Sequence, residues 1–407
     1  MPNRTNPLPA IIVIYTTAFF QGLVLIILAA SAPVLKEVKG FSDAQYGLLF
    51  LPQIFTTLGG SLVGGALARR WGSKNLLVLS LITMVLSMAL MADIVAFVPL
   101  PAAFFGILAA MALVGLGYGL GAGPLNAYPA VLFPEKAEAG ITALHALIAF
   151  GLAAGPLATG PLIKSGEWQI YPLSLIFLGF SLLVGLAVIQ SPKGAVAANE
   201  KGAATKGPGT APRGFRSAAV LFCAIGVLYT LAEGTISNWL IIFLHEDRHV
   251  DPARASLALS IFWTSLAGSR LLISTLLLRI KAEKIWLCLP ILIIVVLALL
   301  PGVRGPLSGA LLFACAGAAC SGFFPITVGL FTQRFAEQAA MAASLMIAAG
   351  MVGASFGSFI IGPLRTFLPL AHLYYLAILY PGAAFGLAVC YLVKWRHQWP
   401  AHPAIGS

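Results

Sequence analysis

The stretch GLAAGPLATGPL at residues 151–162 returns as GASFGSFIIGPL at residues 353–364. Gly151, Gly155, Gly160, Pro161 and Leu162 are matched by Gly353, Gly357, Gly362, Pro363 and Leu364 at a constant offset of 202 residues. Both copies lie inside long apolar runs. Upstream of each sits a second echo: Ile54-Phe55 and Gly60-Ser61 are answered by Ile261-Phe262 and Gly268-Ser269, each followed by a basic turn. One pattern written twice, half a chain apart, predicts two halves built alike in a parallel repeat.

Outward from these copies the chain stays apolar. Of its 407 residues 59% are hydrophobic and only 9% charged, with a mean hydropathy of +0.96. That is more apolar surface than one water-soluble core can hide, so the solvent is a bilayer. Crossing the hydrocarbon takes ~20 apolar residues per helix. Twelve such stretches occur, at residues 9–35, 43–68, 75–98, 102–133, 138–163, 168–190, 217–244, 252–278, 285–302, 306–332, 338–363 and 370–394. The expected fold is an all-α membrane protein of twelve transmembrane helices in two pseudo-symmetric six-helix bundles. The longest polar stretch, rich in Gly, Ala, Pro and Lys without apolar periodicity, separates them. The expected organisation is an N-terminal bundle at 1–190, a cytoplasmic linker at 191–216, and a C-terminal bundle at 217–407 with a short cytoplasmic tail.

An even number of spans leaves both termini on one side. Sixteen of the 24 Lys and Arg fall on that side, seven on the other, and Arg270 lies within a span. The richer side is expected to be cytoplasmic. The net charge of +11 thus serves topology and not nucleic acid. The first apolar run is too long for a cleavable signal, so the first helix is expected to be kept. The sequon Asn3-Arg4-Thr5 then faces the cytoplasm and stays unmodified. All five cysteines (Cys223, Cys288, Cys315, Cys320, Cys390) sit in apolar runs without CxxC spacing and read as small core residues. No metal or cofactor is expected. No P-loop or paired-acid motif appears, and the HExxH-like string at 245–249 and the GxSxG-like string at 353–357 fall at the end of one apolar run and inside another, so the chain is not expected to be an enzyme.

Small residues recur inside the spans, most densely in GLGYGLGAGP at 115–124 and again at 151–160. In lipid, where apolar burial does not drive helices together, such residues permit close backbone approach. Packing is the first expectation for them, a hinge the second.

The stretch GALARRWGSK, residues 65–74, resembles the signature loop of the major facilitator superfamily, with Arg69 where the signature carries an acid. Within that superfamily, residues 115–134 with Asn126, the run LHALIAFG at 144–151, Ser237-Asn238-Trp239-Leu240 and Gly268-Ser269-Arg270-Leu271 resemble the fucose permease-like group of sugar-proton symporters. The resemblance implies two bundles about an axis along the membrane normal and a solute held at midplane between them. It further implies a monomeric secondary transporter of the cell inner membrane, working by alternating access on a sugar or other small hydroxylated solute, with protons as partners. Arg69 and Arg70 of the loop, together with Arg270, become gating candidates. The family's proton-handling acids have no counterpart in Ala29–Ala32 or Gly121–Leu125, and Ile148 stands where the family carries an asparagine. Sugar identity and proton coupling therefore do not carry over by resemblance. An exporter or exchanger of an anionic or amphipathic metabolite or drug stays open beside the sugar reading. A non-transporting sensor is disfavoured, because the chain offers no sizeable soluble domain.

Ionisable groups inside spans are costly and mark function by default. Four qualify: Asp93, His145, Glu233 and Arg270. Glu233 lies about 24 Å along the seventh span from its cytoplasmic start, with Tyr229, Thr230 and Ser237 on its face. It is the candidate proton-coupling group, a structural hydrogen bond being the alternative. His145 has two ring nitrogens suited to a hydroxylated or anionic solute or to a proton. Arg270 either attracts an anion, holds carbonyls at a helix end or pairs with an acid. Asp93, near the outer end of the third span, is expected to reach the interface. Gln21, Gln53, Asn126, Tyr128, Tyr229, Asn238, Trp263 and Thr327 complete the candidate solute lining: amides donate and accept together, and aromatic faces suit flat solutes.

Overall fold

The structure, a computed structural model, describes residues 7–100, 102–133, 136–189, 214–335 and 338–395. The side chain of Arg69 and most of the expected linker, residues 191–213, lie outside them. Among the described residues there is no strand.

Among the described residues twelve helices are long and apolar enough to cross a membrane: α1 (Leu8–Leu25), α2 (Asp43–Ala68), α3 (Arg70–Phe97), α4 (Ala102–Pro129), α5 (Gly140–Ser165), α6 (Ile170–Val188), α7 (Phe215–Asp247), α8 (Pro252–Leu276), α9 (Ala282–Gly302), α10 (Pro306–Arg334), α11 (Met341–Leu364) and α12 (Leu370–Lys394). Helices are the form these sequences must take in lipid, because each satisfies its own backbone donors and acceptors. The protein is a multi-pass membrane protein. Its chain divides into two compact units, Met1–Gly207 and Pro208–Ser407, each holding six of the helices.

The repeated glycines pack helices. In the N-terminal unit a Cβ on Gly151 of α5 would run into the Phe19 carbonyl of α1, and one on Gly22 of α1 into the Ile148 carbonyl of α5. In the C-terminal unit Gly353 and Gly357 of α11 meet the Val227 and Leu231 carbonyls of α7, while Gly234 of α7 meets Ala354. The repeat seen in the sequence is therefore one helix contact built twice, α1 on α5 and α7 on α11. In α4 the glycines serve two sides: Gly115 and Gly119 abut the Gln53 and Thr57 carbonyls of α2, and Gly117 and Gly121 abut Ser80 of α3. Ser80 Oγ donates to the Gly117 carbonyl at 2.6 Å.

Three departures from unbroken helices bear on function. Within the first turn of α3, Gly72 bends the chain at φ 77° and ψ 154°, a positive-φ conformation that favours glycine. Just beyond it, Lys74 Nζ donates to the Ile189 carbonyl at 2.7 Å, so the basic loop caps the end of α6. The expected first span, 9–35, is regular only to Leu25. Shorter turns at Ile27–Ala30 and Val34–Val38 follow, and here Tyr171 donates to the Leu23 carbonyl and Trp168 to Ser31 Oγ, both at 2.9 Å. The third departure, in α10, shapes the site described next.

Candidate functional site

α10 was expected as one rod over 306–332. It is two: Pro306–Cys320 and Phe323–Arg334, joined through Ser321 and Gly322. The local sequence explains the break. A Ser-Gly pair is a recurrent kink site, and Pro325 lacks the N–H that the Ser321 carbonyl four residues earlier would accept, while its ring crowds that carbonyl. Backbone oxygens freed inside a membrane must find other donors. Both do. Arg270 Nε of α8 donates to the Ser321 carbonyl at 3.0 Å, and the hydroxyl of Tyr229 on α7 is hydrogen-bonded to the Cys320 carbonyl.

Tyr229 has a second partner. One turn further along α7, Glu233 places its carboxyl Oε2 on the same hydroxyl. The phenol ring is buried and held against Phe323 and Phe324, with centroids 5.4 and 6.2 Å away. Arg270, on the Ser321 carbonyl, and Glu233, through Tyr229 on the Cys320 carbonyl, thus reach the same break. Two of the ionisable groups picked from the sequence are therefore brought together, and the broken helix joins them. Cys320, Ser321 and Gly322 were not singled out beforehand, although Ser321-Gly322 followed by Pro325 was a legible signal of a kink.

Beside Arg270 a cleft of about 280 Å³ runs between α8 and the second half of α10. Arg270, Ser274 and Gln333 give it polar points, and Ile273, Leu277 and Ile326 give it apolar walls.

The remaining candidates fall in several places. In the N-terminal unit His145 Nε2 and Asn126 Oδ1 are 3.0 Å apart, so α4 and α5 bring these two candidates together. Asn126 also donates to the Ala122 carbonyl of its own helix at 2.8 Å. Gln21 is buried against Gly121, and among the described residues its amide nitrogen meets no acceptor. Gln53 is partly buried and Tyr128 is buried. Asp93 and Arg70 are exposed.

In the C-terminal unit Asn238 Nδ2 donates to Ser358 Oγ at 2.6 Å and Trp239 Nε1 to the Ser358 carbonyl at 3.0 Å. Ser358, not foreseen as important, fastens α11 to α7 at this level. Thr327 is fully buried and accepts from Trp286 Nε1 at 2.8 Å while donating to the Phe323 carbonyl at 2.7 Å; it ties α9 to α10. Trp263 is partly buried, and among the described residues its indole N–H meets no acceptor.

A helical membrane protein of two six-helix units, with a carboxyl set into one span, is the build of a transporter. The sequence pattern of the Major Facilitator Superfamily matches residues 14–358. The chain belongs to that superfamily and is a membrane transporter rather than an enzyme. It is 23% identical over 358 residues to the glucose/mannose transporter GlcP of Bacillus subtilis (strain 168), covering 86% of each chain. Its fold is similar to that of a D-xylose-proton symporter, with a TM-score of 0.77 at 16% identity over 98% of this chain and 99% of the other. It is also similar to a variant of the nucleoside transporter NupG, with a TM-score of 0.72 at 14% identity over 95% and 99%. The twelve-helix fold expected from the sequence is the one found.

Proposed function

We propose that the protein is a proton-coupled secondary transporter of a sugar or similarly hydroxylated small solute, working by alternating access. The observation that carries this reading is Glu233, a carboxyl set within α7 and joined through Tyr229 to the break in α10. A transported proton needs a titratable group inside the membrane, and discontinuous helices are where transporters gather ion and solute sites. The similarity to a glucose/mannose transporter along 86% of both chains supports the solute class. So do the polar side chains of the Asn126–His145 pair in one unit and the Trp263 indole in the other. Asn238 and Tyr229 belong to the proposed lining on the C-terminal side, and Gln21, Gln53 and Tyr128 on the N-terminal side. Thr327 is the weakest member, its hydroxyl being already engaged. Arg69, Arg70 and Arg270 are proposed to act in gating. The proposed setting is the cell inner membrane, with both termini cytoplasmic and the chain working as a monomer in the bilayer; the sixteen-to-seven division of basic residues supports the orientation. The two-bundle division with a linker at 191–216 is kept as part of this reading.

Proteoliposomes test it. Accumulation of radiolabelled glucose, mannose or xylose under an imposed inward proton gradient, lost in Glu233→Gln while sugar exchange at equilibrium persists, is the expected result. Absence of both uptake and exchange for every sugar tried overturns the reading.

The cleft beside Arg270 favours a second reading, export or exchange of an anionic amphipathic solute. A cation among apolar walls fits such a solute. Stabilisation of the purified protein by carboxylates and not by sugars, lost in Arg270→Ala, would select it.

A further inference from the structure

The hydroxyl of Tyr229 has one hydrogen and two oxygen neighbours, the carboxyl of Glu233 and the carbonyl of Cys320. A carbonyl only accepts, and so does an ionised carboxylate. If Glu233 is charged, the single hydrogen serves one neighbour and leaves the other unserved. Both contacts are satisfied together in one arrangement: Glu233 carries a proton and donates it to the Tyr229 oxygen, and Tyr229 donates its own hydrogen to the Cys320 carbonyl. We infer that Tyr229 is a positioning residue that reports the protonation of Glu233 to the broken helix α10. With Glu233 protonated, Tyr229 holds the Cys320 carbonyl and fixes the break. When Glu233 loses its proton, the phenol hydrogen turns to the carboxylate, the stronger acceptor. The Cys320 carbonyl, released at a fully buried position, is then free to rearrange, and the second half of α10 with it. The inference rests on the reading of Glu233 as the proton-handling carboxyl.

The surroundings fit this division of labour. The two carbonyls at the break have different keepers: Ser321 is held by the permanently charged Arg270, whereas Cys320 is held by a group whose hydrogen can be claimed elsewhere. Phe323 and Phe324, the first residues past the break, pack on the Tyr229 ring, so any turn of the phenol is felt by the segment it would release. The charged and titratable groups acting on Glu233 among the described residues are Tyr229 on its own helix, Cys320 on α10 and Arg270 on α8.

Amide hydrogen exchange over residues 317–326 in the purified full-length protein, corrected for the chemical dependence of exchange on pH, is the test. In the wild type the corrected exchange is expected to rise about 3- to 10-fold between acid and alkaline pH, the factor that one hydrogen bond sets. Glu233→Gln, whose amide N–H donates to the Tyr229 oxygen as the protonated carboxyl does, is expected to stay at the slow acid value throughout. Tyr229→Phe, which removes one oxygen, is expected to be fast throughout. A flat wild-type profile, a Glu233→Gln profile that still follows the wild type, or a Tyr229→Phe profile unchanged from it overturns the inference. No solute is present, so failure of sugar transport and failure of this linkage are read separately.

Discussion

Arg270 Nε on α8 reaches the carbonyl of Ser321 on α10 at 3.0 Å, the oxygen that Pro325 deprives of its helical partner. The bond makes a site that resembles an anion trap in the sequence into a structural clamp, with the rest of the guanidinium beside the α8–α10 cleft. Replacing Arg270 by leucine strands that carbonyl. A buried acceptor left unserved costs about 1–3 kcal/mol, so the melting temperature of the purified protein is expected to fall. Lysine should recover only part of the loss, because its ammonium cannot present an N–H partway along a rigid planar group. A leucine variant as stable as the wild type would mean that the Ser321 carbonyl is served from elsewhere.

The glycines make a sharper prediction because they differ in their surroundings. At Gly151 and Gly353 a Cβ would strike a backbone carbonyl of the facing helix, whereas at Gly59 and Gly123 it would meet nothing within 4 Å. Alanine at Gly151 or Gly353 forces α1 from α5, or α7 from α11, and is expected to lower thermal stability by about 1–3 kcal/mol, as other overpacked sites do. Alanine at Gly59 or Gly123 is expected to be neutral or to stabilise by up to about 1 kcal/mol through helix propensity. Equal effects at the two kinds of position, measured by thermal unfolding in one detergent, would remove close packing as the reason for the repeat.

That repeat also shows what a sequence states openly and what it does not. Span number follows from apolar length, and the halves follow from the 202-residue offset, because both are periodic properties of the chain itself. The glycine contacts were legible as small-residue spacing, yet their partners were not. Which helix Gly151 meets depends on the fold of a whole unit. Likewise Glu233 and Tyr229 could be paired by helical spacing alone, while Cys320 lies 87 residues beyond Glu233 and joins them only because α10 breaks. The Ser-Gly pair and Pro325 marked a weakness in that helix, but hydropathy, which sees an unbroken apolar run, concealed it. Thr327 shows how little residue type alone says about partners. A hydroxyl in a span suggests solute, and here it serves Trp286.

At the far end of α7, Arg365, just past the end of α11, bonds Glu246 and Asp247 together, each at 2.7 Å, with its own side chain only 9% exposed. One cation holding two acids makes the pair of substitutions unequal. Removing Arg365 leaves two neighbouring, partly buried carboxylates facing each other, and a cost of about 2–4 kcal/mol is expected for Arg365→Ala. Glu246→Gln removes one acid while Asp247 keeps the arginine engaged, so its effect is expected to stay below about 1 kcal/mol. Unfolding temperatures of the two variants, compared at low and high salt, check the order. If Glu246→Gln is as damaging as Arg365→Ala, the cluster is not held by the arginine.

His145 and Asn126 offer a test in which function and stability part company. The histidine is exposed within its unit and its ring nitrogen meets the Asn126 amide oxygen at 3.0 Å. A hydrogen bond at an exposed site adds little to folding, so His145→Ala is expected to leave stability within about 0.5 kcal/mol of the wild type. If the pair contacts solute, as proposed, the same variant loses a donor or acceptor made for a hydroxyl. The apparent KM for sugar uptake in proteoliposomes is then expected to rise about 10-fold or more, since a site left with an unmatched polar partner discriminates strongly. Asn126→Ala should do the same, and the double variant should cost little beyond either single one, because each removal already breaks the shared arrangement. Unchanged KM in both single variants would take His145 and Asn126 out of the lining. The solute would then have to be recognised by other groups in the N-terminal unit, with Gln21, whose amide nitrogen meets no acceptor among the described residues, the first to substitute.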